Sequence, residues 1–326
     1  MASLKFRMYT YRMKAPHSIT PKILTLIQDV SVIIGKVNAS SLQKVQPELR
    51  KKNKIRTIHS TLAIEGNTLS EEQVSQIINN KFIVGPKNEI LEVLNAIEVY
   101  NQFSKLNPYS ESSFKKAHKL MTAKLLTSDS GKYRSQGVGV GRHIAPPHNL
   151  VPELMANLFK DLKESDLPLL LKSCIFHYEH LFIHPFIDGN GRMGRLWQTL
   201  LLTKYDQIFE FIPIENFIKK SQDEYYKVLS RCDGKGNSTE FIEFMLHIIK
   251  EGLEEFIDQK PKPISARDRL SIAAGKFNKD LFSRKEYLKL FVDLSEPSGT
   301  RDLRIGVEEG LLERVGMDRN SKYKFK

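Results

Sequence analysis

Apolar residues recur at spacings of three and four along most of the chain, the period of helices with one buried face. Ile23, Leu24, Leu26, Ile27 and the run from Val30 to Ile34 make the first such stripe. Ser70 followed by Gln73 is a capping-box pattern, and Val74, Ile77 and Ile78 behind it predict a second helix. The same period runs through 90–103, 114–126 and 154–162. A strongly apolar stretch, 167–183, predicts a buried helix, and 192–204, 221–230 and 238–256 complete a helical body. Ser221 with Glu224 offers a second capping box.

Two segments break this period. Residues 131–148, GKYRSQGVGVGRHIAPPH, alternate Gly with Val and end in Pro-Pro, which predicts a β-hairpin or extended flap. Residues 259–265, QKPKPIS, read as a Pro- and Lys-rich linker, after which the chain changes character. The tail reads as a helix over 283–291, a turn, a helix over 300–311, and two short strands around 317–320. That order predicts a winged helix-turn-helix.

At 326 residues the chain has room for two or three domains. Cys174 and Cys232 are too few for a disulfide framework and form no Cys-x-x-Cys pair, which argues against a secreted scaffold and a cysteine zinc site. The start, MASLKFRMYTYRMKAPHS, lacks the apolar core of a signal peptide, and no apolar run approaches the roughly 20 residues that span a bilayer. The expectation is a cytoplasmic protein without a membrane partner. A net charge of +12 raises the question of nucleic acid. Residues 1–60 hold twelve Lys/Arg against Asp29 and Glu48, so the excess is local and the rest is near neutral. A solvated basic helical surface accounts for it as readily as a nucleic-acid patch.

The chemistry gathers at 184–195, HPFIDGNGRMGR. Gly189-Asn190-Gly191 stands before a helix, where backbone N–H groups and the helix dipole favour an anion. Arg192 and Arg195, three apart, project from nearly the same face of the first turn and suit a polyphosphate. Asp188 offers a hard oxygen for Mg²⁺ shared with phosphates, and His184 a neutral imidazole to take a proton from a hydroxyl. His177, His180 and His184 fall at i, i+3 and i+7, equally compatible with packed histidines or with transition-metal ligands. A metal hydrolase would leave the glycines and both arginines without a role.

The run His-Pro-Phe-x-Asp-Gly-Asn-Gly-Arg-x-x-Arg at 184–195 resembles the signature of the Fic family, matched at every fixed position. The resemblance implies a mainly α fold and transfer of AMP from Mg-ATP to Ser, Thr or Tyr hydroxyls of proteins. It makes His184 the general base and Asp188 the Mg²⁺ ligand. Gly189, Asn190 and Gly191 would cradle the α- and β-phosphates, and Arg192 and Arg195 would bind the β- and γ-phosphates. Many members carry Glu where this chain has Leu181. GKYRSQGVGV (131–140) resembles the family's flap, with Gly137, Val138, Gly139 and Val140 docking the target by strand pairing. Tyr225-Tyr226 and GKGNSTEF (234–241) resemble the region around the adenine and ribose; Tyr226 is the candidate, and ordinary packing accounts equally for Tyr225.

Thr61-Leu-Ala-Ile-Glu65-Gly66-Asn67 resembles the family's inhibitory-helix motif. Taken without the family, it is a helix end with Gly66 and Asn67 as caps. With it, Glu65 reaches Arg195 and occupies the guanidinium that orients the γ-phosphate; the same glutamate could instead position water to remove AMP. The tail resembles winged-helix modules appended to Fic proteins, and departs from them at Gly306, where an apolar core residue is usual. The expected layout is an N-terminal helical region (1–112), a Fic helical core with a small β-hairpin flap (113–258), a linker (259–265) and a winged helix-turn-helix (266–326). Expected partners are ATP, an unidentified target protein and the chain itself as substrate. The resemblance is also compatible with a homodimer and with DNA on the tail. The rival reading is a DNA-binding regulator whose core only senses nucleotide. Residues 281–326 carry ten Lys/Arg and eight Asp/Glu, a thin excess for binding phosphates.

Overall fold

The computed structural model describes residues 16–39, 47–126, 128–140, 143–258, 265–291, 294–316 and 321–326. The sequence start, the basic residues Lys5, Arg7, Arg12, Lys14 and Lys44, most of the expected linker and residues 317–320, around which the two tail strands are expected, lie outside them. The chain falls into two compact units, Met1–Asp258 and Gln259–Lys326.

The first unit is built on a helical pair, α7 (Leu169–Ile183) and α8 (Asn190–Tyr205). Before it come α1 (Pro21–Ala39), α2 (Pro47–Ile64), α3 (Glu71–Ile78), α4 (Lys87–Asn101), α5 (Glu111–Met121) and α6 (Val151–Glu164). After it come α9 (Ile214–Lys220), α10 (Gln222–Lys235) and α11 (Thr239–Asp258). The central pair separates two cores. Leu170, Leu171, Cys174 and Tyr178 pack with α1, α10 and α11, while Phe176, Ile183, Leu196, Trp197 and Leu200 pack with α2 to α6. A helix covered on both sides is apolar all round, which is why 167–183 reads as a continuous run rather than a stripe. Gly194 allows α8 its close approach to α7. A Cβ there would stand 2.8 Å from His177 Cδ2, so the approach offsets the roughly 1 kcal/mol that glycine costs in a helix.

Three local expectations need correction or sharpening. Ser70 and Gln73 form the capping box, but Ser221 makes no side-chain cap. Ser221 already closes α9, its N–H turned back to the Phe217 and Ile218 carbonyls, and Glu224 pairs with Arg231 at 2.6 Å. The 114–126 helix stops at Met121, where the chain turns through Lys124 at φ 62°. The expected hairpin is short: β1 (Gly139–Val140) pairs antiparallel with β2 (His143–Ile144), and residues 141–142 lie outside the described residues.

In the second unit, α12 (Ala266–Phe277) is followed by β3 (Phe282–Ser283), α13 (Arg284–Leu290), α14 (Glu296–Glu308), β4 (Leu312–Val315) and β5 (Lys322–Phe325). The strands form an antiparallel sheet in the order β3-β5-β4. Leu270, Tyr287, Leu303, Leu312 and Phe325 fill its core. Gly306 sits where that core leaves no room: a Cβ would lie 2.7 Å from Leu312 Cδ1 and 3.2 Å from Leu270 Cδ2. The two leucines occupy the space that a larger residue at 306 would need. Asp302, fully buried, takes both Arg269 donors at 2.6 and 2.8 Å and the Tyr287 hydroxyl at 3.2 Å.

Candidate active site

Helix α7 ends at His184, which adopts a left-handed backbone (φ 50°, ψ 60°) rarely taken by residues other than glycine. The following Pro185 disfavours a right-handed continuation. Arg134, only 2% exposed, holds this strained turn. Its Nε donates to the His184 carbonyl at 2.8 Å, its Nη2 to Ile183 O at 3.3 Å, and its backbone N–H to Pro185 O at 2.9 Å. The same guanidinium donates to Gln136 O and Pro146 O, one on each leg of the hairpin. One buried arginine thus ties the flap's base to the motif histidine.

His184 Nδ1 lies 3.3 Å from the Leu181 carbonyl. A carbonyl only accepts, so Nδ1 carries the proton and Nε2 is the basic nitrogen. The departure from the family pattern at Leu181 leaves this contact intact, because the backbone makes it.

The loop between α7 and α8 is locked by side chains. Asn190 bonds Phe186 twice, accepting from its N–H and donating to its carbonyl, both at 2.9 Å. That side chain is therefore committed to the loop, and what residue 190 can offer a phosphate is backbone. His118 Nδ1 accepts from Gly131 N–H at 2.9 Å, which places the proton on Nε2 for donation to the Asp188 carbonyl at 2.9 Å. The His118 ring stacks on Phe186 at 3.6 Å. Burial, the largest influence, lowers the His118 pKa to about 4, so it is neutral at pH 7. His180 donates from Nε2 to the Asn190 carbonyl at 2.9 Å, and His177 bridges Gln198 and the Tyr225 hydroxyl at 2.6 and 3.0 Å. Burial pushes both down to about 3. These are packed, neutral histidines, and no group of three or more His, Cys, Asp or Glu able to hold a metal occurs among the described residues.

The expected anion nest lies at the start of α8, with Gly189 at φ 83°. Both arginines flanking it are buried and occupied. Arg192 donates to Asp188 Oδ2 at 2.8 Å and to Glu92 Oε1 at 3.2 Å. Arg195 donates from Nε to Thr61 Oγ1 at 3.0 Å, and from Nη2 to Thr61 O at 2.9 Å and Glu65 Oε1 at 2.6 Å. Glu65 also stands against the nest, since a Cβ on Gly191 would meet its Oε1 at 2.2 Å.

Glu65 reaches this place because α2 ends there. Gly66 N–H bonds Ala63 O, Asn67 N–H bonds Leu62 O, and Gly66 takes φ 96°, a left-handed helix stop. The helix-end reading and the pairing with Arg195 hold together. Gln222 and Tyr226, one turn apart on α10, both donate to the last helical carbonyl, Ile64 O, at 3.3 and 3.4 Å. Tyr226 is partly exposed, whereas Tyr225 is buried against Phe241.

In the flap, Gly139 and Val140 form the strand. Val138 extends the pairing by accepting from Ala145 N–H at 3.4 Å, and Gly137 is exposed before it. Sequence reasoning did not single out Arg134, His118 or Glu92. A lone arginine, histidine or glutamate in a helix or loop carries no local pattern that marks it.

Residues 106–202 match the profile of the Fic/DOC family. The chain is 31% identical over 216 residues to the protein adenylyltransferase Fic of Nematostella vectensis, covering 61% of this chain and 48% of that protein. It is 27% identical over 233 residues to its namesake in Drosophila willistoni, covering 67% and 45%. The chain thus spans about half the length of the curated relatives it matches. Among solved structures, a Fic family protein from Desulfovibrio desulfuricans G20 is 36% identical, with a TM-score of 0.73 over 96% of this chain and 98% of that one. Fic-1 of C. elegans shares the fold at 18% identity, with a TM-score of 0.61 over 72% of each.

Proposed function

The chain belongs to the Fic/DOC family, and on that footing we propose that it transfers AMP from Mg-ATP to a Ser, Thr or Tyr hydroxyl of a protein, itself included, and that Glu65 holds this reaction off. The observation that carries the reading is the Glu65 carboxylate, 2.6 Å from Arg195 and pressed over Gly191.

The nest at 189–191 receives the α- and β-phosphates on backbone N–H groups. Arg192 and Arg195 take the β- and γ-phosphates. His184 Nε2 accepts the proton of the target hydroxyl while its oxygen bonds to the α-phosphorus. The bond from that phosphorus to the bridging oxygen breaks, and pyrophosphate departs. Asp188 fits a Mg²⁺ that draws most of its shell from phosphates and water: its side chain is 56% exposed and no second acid is needed. Mg²⁺ bound there would neutralise charge on the departing pyrophosphate.

With Glu65 on Arg195, a γ-phosphate has no guanidinium to orient it, and ATP enters with its α-phosphate turned away from in-line attack. The flap strand at Gly137, Val138, Gly139 and Val140 docks the target segment by backbone pairing, and Tyr226 borders the adenine.

For the C-terminal unit we favour a winged helix that contacts protein rather than DNA. Residues 281–326 carry ten Lys/Arg against eight Asp/Glu, a thin excess for binding phosphates, and Arg267, Arg269, Arg284 and Arg304 each face a carboxylate within 4.0 Å.

The test uses purified chain with α-labelled and γ-labelled ATP, with and without a lysate. Retention of the α-label on protein is the expected result. Retention of the γ-label would mean phosphorylation and would sink the reading.

A further inference from the structure

Arg192 is 2% exposed and meets two carboxylates, Asp188 from the motif and Glu92 from α4. The two differ in setting. The Asp188 side chain is 56% exposed and Glu92 23%. Glu92 is also held from behind, its Oε2 accepting from Asn67 Nδ2 at 2.8 Å. Asn67 is itself fixed: its Nδ2 also donates to Glu89 O at 3.2 Å, and its Oδ1 accepts from Leu69 N–H at 3.1 Å. It follows Glu65 by two residues in the same helix stop, so one short segment supports a carboxylate on each motif arginine.

A buried guanidinium keeps its charge and needs a counter-charge close by. Were Asp188 the sole partner, both its oxygens would be drawn onto Arg192 and their lone pairs withdrawn from any metal; with Glu92 present the hydrogen bond is to Oδ2, at 2.8 Å. Glu92 supplies the negative charge from the other side of the guanidinium.

We propose that Glu92 is a positioning residue: held by Asn67, it neutralises Arg192 and so leaves the Asp188 carboxylate available to the Mg²⁺ that accompanies the nucleotide. This rests on the reading of Asp188 as the Mg²⁺ residue given above. It adds a partner outside the signature, 100 residues upstream of Arg192, whose loss changes metal dependence rather than phosphate binding.

The experiment measures ATP binding by calorimetry in the full chain carrying Glu65→Gly, first in EDTA and then at stepped Mg²⁺ concentrations. Glu92→Gln, which keeps the shape and removes the charge, is expected to leave ATP affinity in EDTA within about threefold. It should raise the Mg²⁺ concentration for half-maximal tightening by about tenfold, the size of one charge-assisted contact. Asp188→Asn in the same background serves as the reference and is expected to abolish the tightening. If Asp188→Asn has that effect and Glu92→Gln leaves the Mg²⁺ midpoint in place, the inference about Glu92 fails alone. If Glu92→Gln weakens binding equally in EDTA and in Mg²⁺, its role is structural and the inference also fails. If Asp188→Asn itself leaves the midpoint unmoved, the reading of Asp188 falls and takes this inference with it.

Discussion

The Glu65 carboxylate and Gly191 come closer than a methyl group allows: a Cβ on Gly191 would stand 2.2 Å from Glu65 Oε1, and that same oxygen accepts from Arg195 Nη2 at 2.6 Å. The absence of a side chain at 191 lets the carboxylate rest against the helix start where a phosphate would bind. On the proposed reading, Glu65 at this place would leave ATP room to enter but would keep its phosphates from settling productively on Gly191 and Arg195.

Thr61 shares the hold on Arg195 through Oγ1, which accepts from Nε at 3.0 Å. Thr61→Val keeps the volume and removes that acceptor, while Glu65 and the Thr61 carbonyl remain. One hydrogen bond to a charged donor is worth about 1.5 kcal/mol or more. Basal AMP transfer should rise by roughly tenfold, less than in Glu65→Gly. No change in transfer rate would show that the threonine only packs.

Arg134 bonds five carbonyl or loop positions at the junction of flap and motif, counting its own N–H to Pro185. Arg134→Ala leaves several buried acceptors unsatisfied, at about 1–3 kcal/mol for each that water cannot reach. A loss of about 3 kcal/mol lowers the melting temperature by roughly 6–12 °C in a unit of this size. Residual AMP transfer should fall further than ATP affinity, because His184 loses its hold while the nest does not. Equal loss of both would contradict this division.

The buried histidines make stability depend on pH. His177 has a folded pKa of about 3 against 6.5 in the unfolded chain, with burial as the largest cause. The unfolded chain binds the extra proton between those values, so stability is complete above the unfolded value and declines as pH falls below 6.5. Between pH 7 and pH 5 this group costs about 2 kcal/mol. Glu179 acts oppositely: burial raises its carboxyl to about 8, and acidification from pH 7 to 5 restores about 2.5 kcal/mol. Denaturant midpoints at the two pH values check both signs. His177→Gln should shrink the acid loss and Glu179→Gln enlarge it; shifts in the reverse directions would refute the assignment.

Legibility in the sequence followed the physics of each element. Helix α1 and the Ser70 box were visible because their apolar stripe and cap are local. Helix α2 was not read from periodicity, because its buried face carries Asn53, Thr57, Ser60 and Thr61 among the apolar residues. Two of them, Asn53 and Thr61, find partners far along the chain, the Phe211 carbonyl and Arg195. The signature at 184–195 was readable as chemistry since its residues are contiguous. What holds it in shape comes from elsewhere: Arg134 on the flap, His118 on α5 and Glu92 on α4. The Ser221 box failed for a related reason, as a preceding helix already claimed that residue's backbone.

The central claim is that the carboxylate of Glu65 restrains an AMP-transfer site whose base is His184. It is tested most directly by α-label incorporation into protein in three forms of the full chain: unchanged, Glu65→Gly, and Glu65→Gly with His184→Ala. Loss of a charge-assisted bond of about 1.5–3 kcal/mol predicts that Glu65→Gly incorporates roughly 10- to 100-fold more label than the unchanged chain. The double variant should return to background. Equal incorporation by the unchanged chain and Glu65→Gly would contradict the restraint, and undiminished incorporation by the double variant would contradict the role of His184.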